Sequence, residues 1–270
     1  DVYKRQTLHR SGATLSRDVV FMATADEEAG GFFGVGWLVE NRPELFTEIG
    51  YVLNEGGGGS LTDGRTQFSI EITQKVPYWL RLTTRGEPGH GSRPPASTAV
   101  TELVAALDRL REHDFPFRVI PAVDAYFRGM AVTRSPNWQR RYMDIAAAIQ
   151  QPGVADELRD ENPSHYALLR NTCSMTRLSA SEKINVIPTE AWAELDCRLL
   201  PDQSPEAFLQ ELGDILGGAV DVETLMGFTP ASSSAETGLF RTIEDLTHDH
   251  YPRAVSYTHL RAHETEAELV

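Results

Sequence analysis

Apolar positions along this chain recur with a period of two or of about 3.6 residues, and the changes of period mark its elements. Residues 18–25 (Asp-Val-Val-Phe-Met-Ala-Thr-Ala) are a short continuous apolar run, the pattern of a strand buried on both faces of a parallel sheet. A second run, Ile49-Gly50-Tyr51-Val52-Leu53, ends in Asn54-Glu55 and four glycines. Between the two, Gly34 to Asn41 reads as a helix stopped by Pro43. Phe68, Ile70 and Ile72 alternate, then Val76, Tyr78, Leu80 and Leu82, which predicts two strands with Lys75 to Pro77 as a hinge between domains. Over 99–112, Val100, Leu103, Val104, Leu107 and Leu110 share one helical face, with Ser97 or Thr98 available as its cap. Residues 115–170 are broken by prolines and partly helical, for example from Trp138 to Gln150. Trp192 to Leu199 is a strand with Ala193, Leu195, Cys197 and Leu199 on one face and Trp192, Glu194, Asp196 and Arg198 on the other. Ser204-Pro205 opens a helix with Phe208, Leu209, Leu212, Ile215 and Leu216 inward, Val220 to Met226 is a last strand, and Leu239 to Thr247 is a helical stretch.

Strand, helix, strand, strand, helix, strand is the split βαβ order of a ferredoxin-like α+β domain, here interrupted at 115–170. A chain of 270 residues with 41% hydrophobic content can bury one or two sizeable cores. The net charge of −14 argues against nucleic acid as a partner. No run of 18 apolar residues is present, so no membrane span is expected. Cys173 and Cys197 lack metal-ligand spacing and make no disulfide framework, so they read as small buried apolar residues.

The chemistry concentrates at the ends of the first two apolar runs, where Glu27 and Glu28 follow one and Glu55 follows the other. Ligands of open α/β sheets bind outside the carboxyl ends of the strands, so these carboxylates are placed for function. One could act as a proton-transfer base while the others hold a hard or borderline metal ion. A plainer role stays open: acids ahead of a helix favour its positive end and cap its amides. Taken alone, His90 between Gly89 and Gly91 is a solvated loop histidine, and Arg198 beside Asp196 is a surface ion pair worth little. His248 and His250 suit the negative end of a helix, and His259 and His263 lack the H-E-x-x-H pattern of a zinc helix. The glycines at 31–36 and 56–59 give neither a dinucleotide fingerprint nor a Walker lysine.

Thr24 to Gly31, Leu53 to Gly58, Gly86-Glu87-Pro88-Gly89-His90-Gly91-Ser92, Asn185-Val186-Ile187-Pro188 and Cys197-Arg198-Leu199-Leu200-Pro201 resemble, in this order, motifs of the M20 metallopeptidases. The resemblance runs from about residue 7 to about residue 255. It implies an α/β fold: part of a zinc-peptidase catalytic domain (7–75 and 231–255) around an inserted ferredoxin-like lid (76–230) that often mediates dimerisation. The enlarged lid is similar to that of the carboxypeptidase S branch. The resemblance gives Glu27 the role of general base and then general acid, and makes Glu28 and Glu55 ligands of two zinc ions, with cobalt or manganese as alternatives. It implies that His90 reaches a zinc site, commonly across the dimer, to stabilise the oxyanion. Arg198 and Asn185 would grip a substrate carboxylate, a task that suits the planar arginine fork. Asp26 would cap or support. The expected activity is hydrolysis of an amide bond in a peptide or N-acyl amino acid. Its rivals are a non-catalytic dimerisation module and a metal-independent hydrolase with paired carboxylates.

The family pattern also has an His-x-Asp motif and a bridging Asp ahead of this chain's first residue, and a metal-binding His beyond residue 255. The expectation is therefore weak metal binding and no hydrolysis by these 270 residues alone. Residues 1–6 and 256–270 resemble translated sequencing-adapter tails and are set aside as non-native. The acyl group and the compartment of this soluble chain stay open.

Overall fold

The structure is a computed structural model that describes residues 2–27, 30–54, 56–62 and 65–261. The chain forms two compact units, divided between Leu53 and Asn54.

The first unit contains α1 (Val2–Ser11), α2 (Val35–Asn41) and a 3-10 turn at Pro43–Phe46. The helix read from Gly34 to Asn41 is present, but the two apolar runs are not strands: 18–25 and 49–53 are irregular. Val19, Val20 and Phe21 are 72%, 65% and 61% exposed, and Val52 and Leu53 are each 75% exposed. Hydrophobic pattern reports what a segment could bury, whereas a strand exists only through a neighbour's ladder of hydrogen bonds. No strand pairs with either run among the described residues.

The second unit begins with β1 (Gly58–Thr62), β2 (Arg65–Gln74), β3 (Val76–Arg85), the short β4 (Gly89–His90) and α3 (Ala99–Glu112). An insert of helices follows: α4 (Pro121–Ala131), α5 (Pro136–Met143), α6 (Ile145–Ala148), α7 (Val154–Glu161) and α8 (Pro163–Ala167). The chain then runs through β5 (Thr172–Ser179), β6 (Val186–Ile187), β7 (Glu190–Leu199), α9 (Pro205–Leu216), β8 (Asp221–Gly227), α10 (Gly238–His250) and β9 (Val255–Arg261). One sheet has the order β1-β2-β9 and another the order β5-β7-β3-β8. The second is antiparallel throughout, and its order with one helix in each half is that of a split βαβ domain.

Inward positions on β7 alternate as the pattern required: Ala191, Ala193, Leu195, Cys197 and Leu199 are at most 1% exposed. They meet Leu103 and Leu107 of α3 and Phe208 and Leu212 of α9 in one core. Each such large side chain contributes about 1.5–3 kcal/mol by leaving water. Thr98 caps α3, its Oγ1 accepting from the Thr101 amide at 3.1 Å, and Thr101 returns the bond to the Thr98 amide at 2.8 Å. Ser97 instead donates to Glu102. The insert has its own core, centred on Phe127, Tyr142, Ile145, Leu158 and Leu169. Here His165 is held between the hydroxyls of Tyr126 (3.0 Å) and Tyr142 (2.6 Å), and burial pushes the Tyr142 phenol up to about 12.

Two features depart from the sequence reading. β5 has little apolar alternation and is mostly exposed; it is a strand because β7 offers it a ladder, from Thr172 opposite Arg198 to Ser179 opposite Trp192. The same register sets Cys173 opposite Cys197, and the two form a disulfide rather than remaining separate thiols. Residues 256–261, set aside as adapter-like, lie in β9, parallel to β2, with Tyr257 packed against the insert core. His248 and His250 fall in the last turn of α10, where His250 Nδ1 is 2.9 Å from the Leu246 carbonyl.

Candidate functional site

The acidic turn lies in the first unit. Asp26 has φ +69°, a left-handed conformation that Asp tolerates better than bulky residues. Its carbonyl accepts from the Gly31 amide at 2.6 Å and its carboxylate from the Phe33 amide at 2.9 Å. Gly34 must be glycine, since a Cβ there would lie 1.9 Å from the Ala25 carbonyl oxygen. Asp26 therefore braces the turn rather than capping α2, whose N-cap is Gly34 and has no side-chain bond. Glu27 is exposed on this turn, and its carbonyl accepts from the Gly30 amide at 3.0 Å. Glu28 and Glu55 lie outside the described residues. Among the described residues no three His, Cys, Asp or Glu converge as a metal cluster.

His90 and Asn185 belong to the second unit and sit side by side. The β3–β7 ladder continues past Arg85 and Glu190 through a bond from the Gly86 amide to the Thr189 carbonyl (2.9 Å) into the β4–β6 pair. There Gly89 faces Ile187 and His90 faces Val186, and the Gly91 amide donates to the Asn185 carbonyl at 2.9 Å. Gly86 lets this ribbon pass close to α3, since a Cβ on it would come within 2.8 Å of the Ala99 nitrogen. The His90 ring is oriented by its own loop. Its Nδ1 accepts from the Ser92 amide at 3.1 Å and lies 2.8 Å from the Ser92 hydroxyl. A backbone N–H can only donate, so the neutral ring carries its proton on Nε2. His90 is exposed and offers that N–H outward.

Arg198 lies at the other end of the sheet. Its Nε is 2.8 Å from Asp196 Oδ1 and its Nη2 is 3.1 Å from Oδ2, a side-on pair in which the Arg198 side chain is 18% exposed. The pair is thus half-buried and two-pronged rather than the loose surface contact its sequence position allows. Arg198 lies eight residue steps along β7 from Glu190, so Arg198 and the His90–Asn185 ribbon are roughly 25 Å apart or more. Within one chain, Arg198 and Asn185 do not converge on a single carboxylate.

Two charged groups near this sheet, Glu194 and Lys75, have surroundings that their places in the sequence pattern did not convey. Glu194, 8% exposed, accepts from Arg81 Nη2 (2.5 Å) and Arg177 Nη1 (2.6 Å), and both guanidinium groups lie over the Trp192 ring. The Arg81 hydrogen bond chiefly holds the Glu194 carboxyl below its usual range. Lys75, 1% exposed, fills the single position between β2 and β3. A lysine ending an alternating apolar run was the available signal for it.

The sheet order, with one helix in each half and the β4–β6 ribbon extending it, defines a split βαβ domain. The family described as "Peptidase dimerisation domain" matches residues 72–221, more than half of the 270 residues, and the chain belongs to the M20 peptidase family. It is 29% identical over 243 residues to the N-fatty-acyl-amino acid synthase/hydrolase PM20D1 of Xenopus tropicalis, covering 82% of this chain and 45% of that protein. To human aminoacylase-1 it is 26% identical over 202 residues, covering 74% of this chain and 39% of that protein. The chain thus spans less than half the length of these relatives. The M20 metallo-carboxypeptidase Sso-CP2 from Sulfolobus solfataricus shares the fold, with TM-score 0.53 and 17% identity over 86% of this chain and 55% of that one. Among the described residues no helix is long and apolar enough to cross a membrane.

Proposed function

We propose that this chain is the lid-bearing part of a metal-dependent amidohydrolase that cleaves N-acyl amino acids or small peptides carrying a free carboxylate. The observation that carries the proposal is the His90 ring: with its Nδ1 accepting from the Ser92 amide, it presents an Nε2–H donor suited to a developing oxyanion. Glu27 takes the proton of the attacking water and returns it to the leaving amine, a role that fits its exposed place on a braced turn. Glu28 and Glu55 are the carboxylates assigned to the metal, and their oxygen donors suit zinc, cobalt or manganese. When bound, such an ion would acidify water and polarise the scissile carbonyl. Arg198, its side-on edge held by Asp196, keeps the Nη1 end for a substrate carboxylate. Since the ribbon and Arg198 lie at opposite ends of one sheet, the reading further assigns them to one site in a homodimer, the ribbon coming from one copy and Arg198 from the other.

The test uses the longer gene that contains this segment. Glu27→Gln should lower kcat by about 10²–10⁴-fold with little change in KM. A chelator should abolish turnover, and added zinc, cobalt or manganese should restore it. Full turnover in Glu27→Gln, or indifference to the chelator, would leave the dimerisation-module and metal-independent readings in its place.

A further inference from the structure

Lys75 joins three parts of the second unit through one nitrogen. It is the only residue between β2 and β3, the point where the chain passes from one sheet to the other. Its Nζ lies 2.9 Å from the carbonyl of Ala167, the last residue of α8, 2.8 Å from the Arg170 carbonyl and 3.0 Å from Thr172 Oγ1. Thr172 opens β5 and stands directly opposite Arg198 on β7, while Pro77 of β3 faces Arg198 from the other side. The sheet junction, the end of the helical insert and the strand layer carrying Arg198 are therefore fastened to one side chain.

The charges around it are mixed. β7 contributes Arg198 and Asp196; the segment after α8 contributes Arg170, whose side chain is 7% exposed, pairs with Asp114 at 3.0 Å and donates to the Tyr166 hydroxyl. Burial first, then the two arginines, pull the amine down to about 7 against the opposing pull of Asp196. The hydrogen bonds suit either state. A neutral amine gives its two hydrogens to the two carbonyls and accepts the Thr172 hydroxyl proton, whereas an ammonium donates to all three oxygens. What changes on protonation is the repulsion from Arg170 and Arg198 and the cost of a buried charge.

We propose that Lys75 is a proton-sensitive pin, holding the helical insert on the sheet junction and the Arg198 layer most firmly when neutral, and loosening when it takes a proton. The linkage has a definite sign. With the folded-state value near 7 and the ordinary value at 10.5, the unfolded chain binds the extra proton between them. Raising the pH across that window adds stability; below about pH 7 the increment is absent.

The 270-residue chain tests this directly. It has three lysines, Lys4, Lys75 and Lys183, so ¹³Cε-labelled lysine should give one signal with a midpoint near 7 that disappears in Lys75→Met. After correction for intrinsic rates, amides of α8 and residues 170–172 should exchange faster at about pH 6 than at about pH 8 in the wild type alone. Between about pH 7 and 9.5 the wild-type Tm should rise by several degrees relative to Lys75→Met. If Lys75→Met does not fold, Thr172→Val keeps the lysine and removes the oxygen that serves both charge states; the midpoint should then fall further. A lysine spectrum with no midpoint near 7, parallel pH profiles of wild type and Lys75→Met, or a midpoint unmoved in Thr172→Val would each overturn the proposal.

Discussion

Glu194 shows how a residue read correctly for its face can be misread for its energy. The strand pattern put it on the polar side of β7, and there it lies, yet Arg81 and Arg177 close over it and Trp192 fills the space between them. Two strands beside β7 supply those arginines, and β5 was not legible. Because the Glu194 carboxyl is held below its usual range, its stabilising contribution is present above ordinary carboxylate values and is lost as pH falls through the lowered one. Glu194→Gln should cost about 1 kcal/mol at neutral pH, solvent around the exposed arginines keeping the figure low. In urea unfolding, the gap between wild type and variant should close as the solution is made strongly acid. A gap independent of pH would mean that the carboxylate charge contributes nothing. His90 carries the same lesson: its motif was plain in the sequence, but its tautomer depends on a bond from the Ser92 amide that only the folded loop makes.

At the scale of elements, right and wrong readings divide by whether a segment finds a partner among the described residues. α3, β7 and α9 bury continuous apolar faces against one another, and each appears within a residue or two of where its pattern put it. Residues 18–25 and 49–53 have equally good patterns and pair with no strand among the described residues. β5 is the reverse case, with a poor pattern and a ready partner in β7. It is further secured by the Cys173–Cys197 disulfide, which closes a loop between residues 24 apart. Reduction should therefore lower stability by about 2–4 kcal/mol in urea unfolding, and the double variant Cys173→Ala, Cys197→Ala should become insensitive to reductant. Two thiols alkylated in the unreduced, denatured chain would contradict the bond.

For the molecule as a whole, the placement of His90 with Asn185 and of Arg198 far from both sets a condition on assembly. If two copies share each site, mixing His90→Ala with Arg198→Ala versions of the longer protein should restore activity. Random association makes half the dimers mixed, and each mixed dimer has one intact site, so recovery should reach about a quarter of wild type. Sites built within one chain would give no recovery. The measurement needs only subunit exchange and a turnover assay, and it separates the dimer assignment from the assignment of Glu27.

The sequence by itself determined every element of the split βαβ order except β5, the inward faces of β3, α3, β7 and α9, and the M20 family, because burial follows local periodicity and family motifs are runs of contiguous residues. Tertiary structure alone decided that β5 is a strand, that two distant cysteines are bonded, that Lys75 is buried under three oxygens, and that within one chain Asn185 lies beside His90 and far from Arg198. Each of those facts depends on which strand lies beside which and in what register. Register is fixed by packing between segments far apart in the chain, and no local pattern carries it.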